Sequence, residues 1–172
     1  MDNCCANAFV SGSLDDIGGL IGVNSGKINT SYATGELSGT VDLGGLIDKN
    51  AGELKNSYSM VSISMGAMHV GGLMGYNEQT VEKCYSIGFV SGGGPFVGGL
   101  IGWSAGSITN SYWDIETSGR TISDGGEGKT TSEMKQQTTF IDWNFSTIWG
   151  INESMSYPYL LWQGEPPLSR KE

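Results

Sequence analysis

Apolar and polar positions recur along this chain with a period of 26 or 27 residues. The pentapeptide Gly-Gly-Leu-Ile-Gly begins at Gly18 and returns, with small changes, at Gly44, Gly71 and Gly98. A fixed period in this range is typical of repeat architectures, in which equivalent side chains stack inside successive coils. When the repeats are aligned, three columns stay apolar throughout: Leu20, Leu46, Leu73 and Leu100; Ile28, Leu54, Val81 and Ile108; and Leu43, Val70 and Val97.

The segments between the motifs have the pattern of strands and turns. β-Branched and aromatic residues alternate with small or polar ones, and no stretch has helical apolar spacing over three turns. We therefore predict an all-β fold: a β-solenoid (β-helix) of about four coils of 26–27 residues, with three short strands per coil. A β-propeller is the main rival, but its blades usually contain about 40–50 residues.

Two columns carry further expectations about the coil. The Gly pair predicts either a corner with positive φ or a close approach between the backbones of neighbouring coils. The tyrosine column is expected in the interior of the prism with the aliphatic residues: Tyr32, Tyr58, Tyr85 and Tyr112.

The repeats resemble a known family. The lines GGLIGVNSGKINTSYATGELSG at 18–39 and GGLIGWSAGSITNSYWDIETSG at 98–119 are similar to the GLUG repeat, and the resemblance covers residues 3–113. The stretch 111–163 resembles the segment that commonly closes such repeat tracts. Two departures fall at predicted corners, Asp48 in place of the last Gly of the motif and Asn-Glu-Gln-Thr at 77–80.

The GLUG family occurs in bacterial surface and secreted proteins, including haemagglutinin-like adhesins and non-catalytic parts of immunoglobulin-A-cleaving peptidases. The resemblance implies a non-enzymatic repeat module of a bacterial (or archaeal) protein, extracellular or at the cell surface. It would act in adhesion, on glycans or other host or cell-surface ligands, or as a structural spacer.

The chain divides into three predicted regions, with solenoid repeats at 1–113, a C-terminal capping segment at 114–165 and a polar tail at 166–172. The first coil is partial, because residues 3–19 align without a gap on residues 83–99. An uncapped coil has an open sheet edge. We therefore expect that the chain either self-associates end to end through the N-terminal coil or is a fragment of a longer protein.

The capping segment has its own signals. Thr130 followed by Glu133 is a capping box, which predicts one short helix at about 131–137. Aromatic residues crowd the stretch that follows and are expected to plug the open end of the prism, with a sugar-stacking site as the alternative: Trp143, Phe145, Trp149, Tyr157, Tyr159 and Trp162.

Polar columns predict the surface. Lys27 lies one coil before Glu53, so opposite charges should stack in register. Asn24, Asn50 and Asn77 form a turn column.

The column that follows the motif contains Val23, Lys49, Tyr76 and Trp103. Because its chemistry changes from coil to coil, it is expected to face solvent. Tyr76 and Trp103 are therefore candidate glycan-stacking residues, and ordinary exposed aromatic residues are the alternative.

Charge and composition exclude several classes of function. A net charge of −9 repels phosphate backbones and disfavours nucleic-acid binding. No run of 18 apolar residues exists, so no membrane insertion is expected, and the first residues lack the pattern of a secretory signal.

The inventory of reactive residues predicts no enzyme, no metal and no cofactor. His69 is the single histidine, HExxH and GxSxG motifs are absent, and residues 123–131 lack the first Gly of a phosphate loop. Cys4, Cys5 and Cys84 form no CxxC pair and are expected to be small buried or edge thiols. A polysaccharide-active solenoid enzyme needs only two or three carboxylates, such as those of Asp114 and Glu116 or Asp15 and Asp16. The small number of coils disfavours it.

Three functions follow from the sequence. The expected one is the adhesive or spacer module, and the alternatives are a carbohydrate-binding module using Tyr76 and Trp103 and a self-assembling fibre subunit.

Overall fold

The computed structural model describes residues 1–13, 15–66 and 68–164, so the predicted polar tail at 166–172 lies outside the described residues. It contains one α-helical turn, α1 (Ile115–Ser118), and three 3-10 turns, Glu133–Lys135, Gln137–Thr139 and Leu161–Gln163. The remaining regular structure is twenty strands: β1 (Cys5–Ser11), β2 (Ile17–Gly18), β3 (Ile21–Asn24), β4 (Lys27–Asn29), β5 (Tyr32–Ser38), β6 (Leu43–Gly44), β7 (Ile47–Asn50), β8 (Glu53–Lys55), β9 (Tyr58–Ser64), β10 (His69–Gly71), β11 (Met74–Asn77), β12 (Thr80–Glu82), β13 (Tyr85–Ser86), β14 (Phe96–Gly98), β15 (Ile101–Ser104), β16 (Ser107–Thr109), β17 (Tyr112–Asp114), β18 (Glu127–Lys129), β19 (Trp149–Gly150) and β20 (Tyr159–Leu160).

The strands stack as a β-solenoid of about four coils, which confirms the predicted fold class. Equivalent strands of successive coils pair in parallel and in register, in one six-stranded sheet (β1-β5-β9-β13-β17-β18) and three four-stranded sheets (β2-β6-β10-β14, β3-β7-β11-β15 and β4-β8-β12-β16). A complete coil has four strand segments rather than the predicted three, because the chain bends within the Gly-Gly-Leu-Ile-Gly motif. The stacked ion pair between Lys27 Nζ and Glu53 Oε1, 3.2 Å apart, confirms the predicted charge register.

The Gly pair is explained by close approach of the coils. A Cβ atom on Gly45 would lie 2.0 Å from the carbonyl oxygen of Gly72, and one on Gly72 would lie 2.2 Å from that of Gly99. These glycines do not have positive φ angles, so of the two predicted arrangements the structure selects the backbone contact. Left-handed residues occupy a different column, with φ angles of 49°, 45°, 55° and 47° at Thr30, Asn56, Lys83 and Asn110.

The interior is a filled stack of aliphatic residues, and the tyrosine column is not part of it. Successive residues of a strand point to opposite faces. Ala33, Ser59 and Ser86 follow three of the tyrosines and are buried, so the tyrosine rings lie on the outer face of the six-stranded sheet. The expectation of tyrosines inside the prism is therefore wrong. The interior contains the three apolar columns named above, and Trp113 joins it at the last coil.

Residues 130–163, which we call the flank segment, run along the outer face of the six-stranded sheet and cover the tyrosines. Its rings contact tyrosines of all four coils: Trp162 lies 5.8 Å from Tyr32, Trp149 6.2 Å from Tyr58 and 6.0 Å from Tyr85, and Trp143 6.2 Å from Tyr112, between ring centroids. The expectation that these aromatic residues plug the end of the prism is wrong, because an exposed face of stacked tyrosines offers them more apolar surface than a narrow coil end.

The end of the last coil is covered by the residues just before the flank segment. The Ser123 hydroxyl accepts hydrogen bonds from the backbone N–H groups of Leu100 and Ile101, at 3.2 and 2.9 Å. The strand β18 pairs with β17 and so extends the six-stranded sheet beyond residue 113. Residues 114–163 therefore contain an end cover followed by the flank segment.

The helix prediction is confirmed only in its capping box. The Thr130 N–H donates to Glu133 Oε2 at 2.8 Å, and the Glu133 N–H donates to Thr130 Oγ1 at 3.3 Å. The residues that follow form two 3-10 turns instead of one helix, because Gln136 between them is extended, with φ −118° and ψ 128°. The α-helical turn α1, for which the sequence carries no strong helix signal, starts at the buried carboxylate of Asp114.

Replacing Gly45 by Ala should destabilise the fold by about 1–3 kcal/mol or more, because the new methyl group overlaps the carbonyl of the next coil. Gly93→Ala is the matched control, since a Cβ atom there meets no atom within 4 Å. Urea unfolding of the two variants and the wild type measures the difference. Equal midpoints for Gly45→Ala and the wild type would contradict the close approach as the reason for the glycine.

Candidate functional site

The predicted aromatic pair forms a stack on the solenoid surface. Strands β11 and β15 pair so that Tyr76 lies opposite Trp103, and their ring centroids are 4.5 Å apart with an interplanar angle of 17°. On the other side of Tyr76, one coil earlier, the ammonium group of Lys49 lies 5.4 Å from the ring centroid. Both faces of the Tyr76 ring are therefore occupied within the protein.

This geometry limits what the pair offers to a sugar. A pyranose ring stacks on a free aromatic face, so the pair presents at most the outer face of Trp103. Two residues outside the predicted column extend the same patch: His69 stacks on Phe96 at 5.1 Å and meets Tyr76 edge-on at 5.3 Å, between centroids. Glycan stacking on Tyr76 and Trp103 stays a prediction.

An acidic corner adjoins this patch. Asp48, which replaces Gly in the repeat motif, is 1% exposed, and its Oδ1 atom has no hydrogen-bond partner in the described part of the chain. It lines a small pocket of about 240 Å³ with Asp15, Asp16 and Asp42, and with His69. Burial raises the pKa of Asp48 to about 8, and the carboxylates of Asp42 and Asp16 contribute to the same rise.

The corner does not have the arrangement of a metal centre. Within residues 1–13, 15–66 and 68–164, no group of three or more His, Cys, Asp or Glu side chains is placed to hold a metal ion. Asp42 is already engaged by His69. The ring Nδ1 atom of His69 lies 3.1 Å from Asp42 Oδ1, and the backbone N–H of His69 donates to the same oxygen at 3.0 Å.

A larger groove lies between the flank segment and the six-stranded sheet. Its volume is about 710 Å³. Strands β1, β5 and β9 line one side with Asn7, Thr34 and Met60, and Ile87 and Phe89 continue this side just after β13. The other side consists of Lys135, Tyr157 and Gln163 of the flank segment and of Thr117 in α1. We call this the flank groove. The repeat pattern contains no sign of it, because its second side exists only where the flank segment lies.

The tyrosines at the edge of the groove form a continuous stack. The rings of Tyr32, Tyr58 and Tyr85 follow one another at 4.9 Å, with interplanar angles of 2° and 8°. Tyr85 donates to the Pro158 carbonyl at 2.6 Å, and Tyr157 donates to Asp114 Oδ2 at 2.7 Å. Burial raises the pKa of Tyr85 and of Tyr157 above the ordinary value of a phenol, so both remain neutral donors at physiological pH.

The cysteines are spread over the solenoid as the spacing predicts. Cys84 is fully buried in the column of Ser31, Ser57 and Ser111, and burial raises the pKa of its thiol to about 12. Cys4 is partly exposed and Cys5 is exposed, and all three thiols are free. A buried neutral thiol is unreactive, which fits a packing role for Cys84.

Comparison with known proteins gives one partial relative. A stretch of 57 residues is 40% identical to a protein of Evansella cellulosilytica described as "Putative Gly-rich membrane protein". The match covers 32% of this chain and 6% of that protein. No family model and no solved structure matches the chain. Among the residues that the structure describes, none belongs to a helix with the length and hydropathy needed to cross a membrane.

The acidic corner predicts an unusual pH dependence of stability. Between the ordinary pKa of 3.8 and the folded value of about 8, the folded chain holds a proton on Asp48 that the unfolded chain releases. Stability should therefore fall, on the order of a few kcal/mol, as the pH rises from about 4 to about 8, and this contribution should stay constant above that. Asp48→Asn should reduce the decline and unfold at higher urea than the wild type at pH 8.

Urea unfolding at a series of pH values tests this. Glu53→Gln, which removes a carboxylate from a surface ion pair, should keep the wild-type decline. A wild-type decline that persists unchanged in Asp48→Asn would show that other groups cause it.

Proposed function

We propose that this chain is a non-enzymatic, rigid repeat module of a secreted or cell-surface protein, and that it acts in adhesion by presenting a preformed binding surface. The observation that carries this is that the flank segment runs along the whole stack, from its contact with the fourth coil to the coil that also contacts the first residues. Asn29 donates its backbone N–H to the Met1 carbonyl at 2.9 Å, and Trp162 Nε1 donates to the Thr30 carbonyl at 2.8 Å. Both contacts are with the same coil, at the N-terminal end of the solenoid.

This arrangement favours a rigid binding surface over a flexible linker. A single segment that contacts tyrosines of all four coils holds these coils in one fixed arrangement. The partial relative in Evansella cellulosilytica, described as a membrane protein, is consistent with a surface location.

Rigidity is supported by a ladder of buried amides. Asn24 Nδ2 donates to Asn50 Oδ1 at 2.7 Å, Asn50 Nδ2 donates to Asn77 Oδ1 at 2.9 Å, and Asn77 Nδ2 donates to the Ser104 hydroxyl at 3.0 Å. Each Asn Oδ1 also accepts the backbone N–H two residues later. The column predicted as a turn is therefore also a buried coil-to-coil connection, and such satisfied networks fix one register.

Of the two carboxylate pairs considered for catalysis, Asp114 and Glu116 have structural roles that support the non-enzymatic proposal. Asp114 caps α1 and accepts hydrogen bonds from Thr131 Oγ1 and the Tyr157 hydroxyl, both at 2.7 Å. Glu116 Oε2 accepts the Thr131 N–H at 2.8 Å. Neither carboxylate is presented to a substrate as an unengaged acid and base pair.

Self-assembly is a second candidate, because one observation favours it. Among the described strands, the seven-residue β1 pairs only with β5, and Phe9 on β1 is 81% exposed. An unpaired edge of this length can add a strand from another copy. Light scattering over a concentration series would show growth if the edge is used and constant mass if it is not.

Adhesion can be tested with beads that carry the chain attached through its N-terminus. The expected result is saturable retention on mucin or on cultured epithelial cells, which excess soluble chain abolishes. Beads whose chain has been unfolded with urea should not be retained. Absence of retention of the wild type on every surface would contradict the adhesive function and leave a passive module.

A further inference from the structure

The flank groove has a sheet side that can recognise a ligand only through side chains. This side belongs to the middle of the six-stranded sheet, where backbone N–H and C=O groups of β5 and β9 already pair with the neighbouring coils. An extended peptide that binds by adding a strand needs a free sheet edge. The groove therefore suits a ligand that is recognised by hydroxyl, amide and aromatic groups.

The lining alternates apolar and polar groups in the way a sugar requires. Phe89 is 54% exposed at one side, and Met60 and Ile87 form an apolar strip below it. Asn7 and Thr34 lie on the same side, and neither side chain makes a hydrogen bond within the described part of the chain. Sugar rings have apolar faces that pack on such a strip, and hydroxyl groups that bond to amides and hydroxyls.

The charge of the groove narrows the class of sugar. Lys135 lies at its side, with its ammonium group 5.4 Å from the centroid of the Tyr157 ring. The five other lysines in the described residues each have a carboxylate within 4.0 Å, and Lys135 does not. An ammonium group without an acidic partner is unusual in a chain with a net charge of −9, and it is placed to pair with a carboxylate of the ligand.

We propose that the flank groove binds a carboxylate-bearing saccharide, with the acid on Lys135, a ring against Phe89 and the apolar strip, and hydroxyl groups on Asn7 and Thr34. The inference rests on the adhesive function proposed above, for which it names the site and the ligand class. It assigns the glycan to the flank groove and not to the stacked pair of Tyr76 and Trp103, whose ring faces are largely occupied by each other and by Lys49.

Calorimetry with trigalacturonic acid and with its methyl ester, and with sialyllactose as a second acidic saccharide, tests the proposal. The acid should bind, and the ester, which keeps the shape but loses the charge, should bind at least about tenfold more weakly. Lys135→Gln should weaken the binding of the acid by about tenfold or more and leave the binding of the ester unchanged. Phe89→Ala should weaken the binding of both ligands.

Two control variants distinguish the flank groove from binding elsewhere on the solenoid. Lys27→Gln removes an exposed lysine on another sheet and should bind the acid like the wild type. Trp103→Ala should also bind normally. The proposal is overturned if the wild type binds neither trigalacturonate nor sialyllactose at millimolar concentration, if Lys135→Gln binds the acid normally, or if Trp103→Ala abolishes binding.

The two proposals can fail separately. Retention of beads on protein surfaces, without binding of either saccharide, would keep the adhesive function and reject the groove as a glycan site. Loss of retention on every surface, with saccharide binding intact, would reject adhesion and keep the groove.

Discussion

The structure depends on how closely the backbones of successive coils approach one another at the Gly-Gly column. A Cβ atom on the second glycine of a motif would collide with the carbonyl oxygen of the equivalent glycine in the next coil. For Gly45 and Gly72 the distance between these two atoms would be 2.0 Å. This contact places equivalent strands in register. Register in turn aligns the buried Asn amides, the surface ion pairs and the stacked tyrosines, because each of these connects one residue with its equivalent one coil away. Repeat proteins gain their stability from such nearest-neighbour contacts.

The flank segment adds a longer-range connection to this local stacking. It covers a face on which Tyr32, Tyr58, Tyr85 and Tyr112 lie side by side, so a single segment contacts four coils. The buried carboxylate of Asp114 fixes its start by accepting hydrogen bonds from Thr131 and Tyr157. The same placement creates the flank groove and brings Trp162 against the N-terminal coil. The adhesive function and the glycan site that we propose both depend on it.

The sequence predicts the periodic part of this architecture, because each coil repeats the same contacts. The β-solenoid and the stacking of Tyr76 on Trp103 in one column follow directly from the 26- and 27-residue spacing. Non-periodic features are missed. An unbroken tyrosine column suggests an interior position, although small neighbours at Ala33, Ser59 and Ser86 mark the inward positions, and Trp113 breaks that pattern in the last coil. Nothing in the repeat indicates that residues 130–163 return along a flank, so the groove could not be predicted.

Hydrogen exchange of the strands beneath the flank segment tests the central claim most directly, namely that this segment joins the stacked coils into one cooperative unit. Coils held only by nearest-neighbour contacts should open one after another, with the outer coil exchanging first. The account predicts instead that the buried amides of β9, β13 and β17 exchange with one common free energy of opening, shared by the amides of β19 and β20. A gradient from coil to coil, with the flank segment exchanging much earlier, would contradict it.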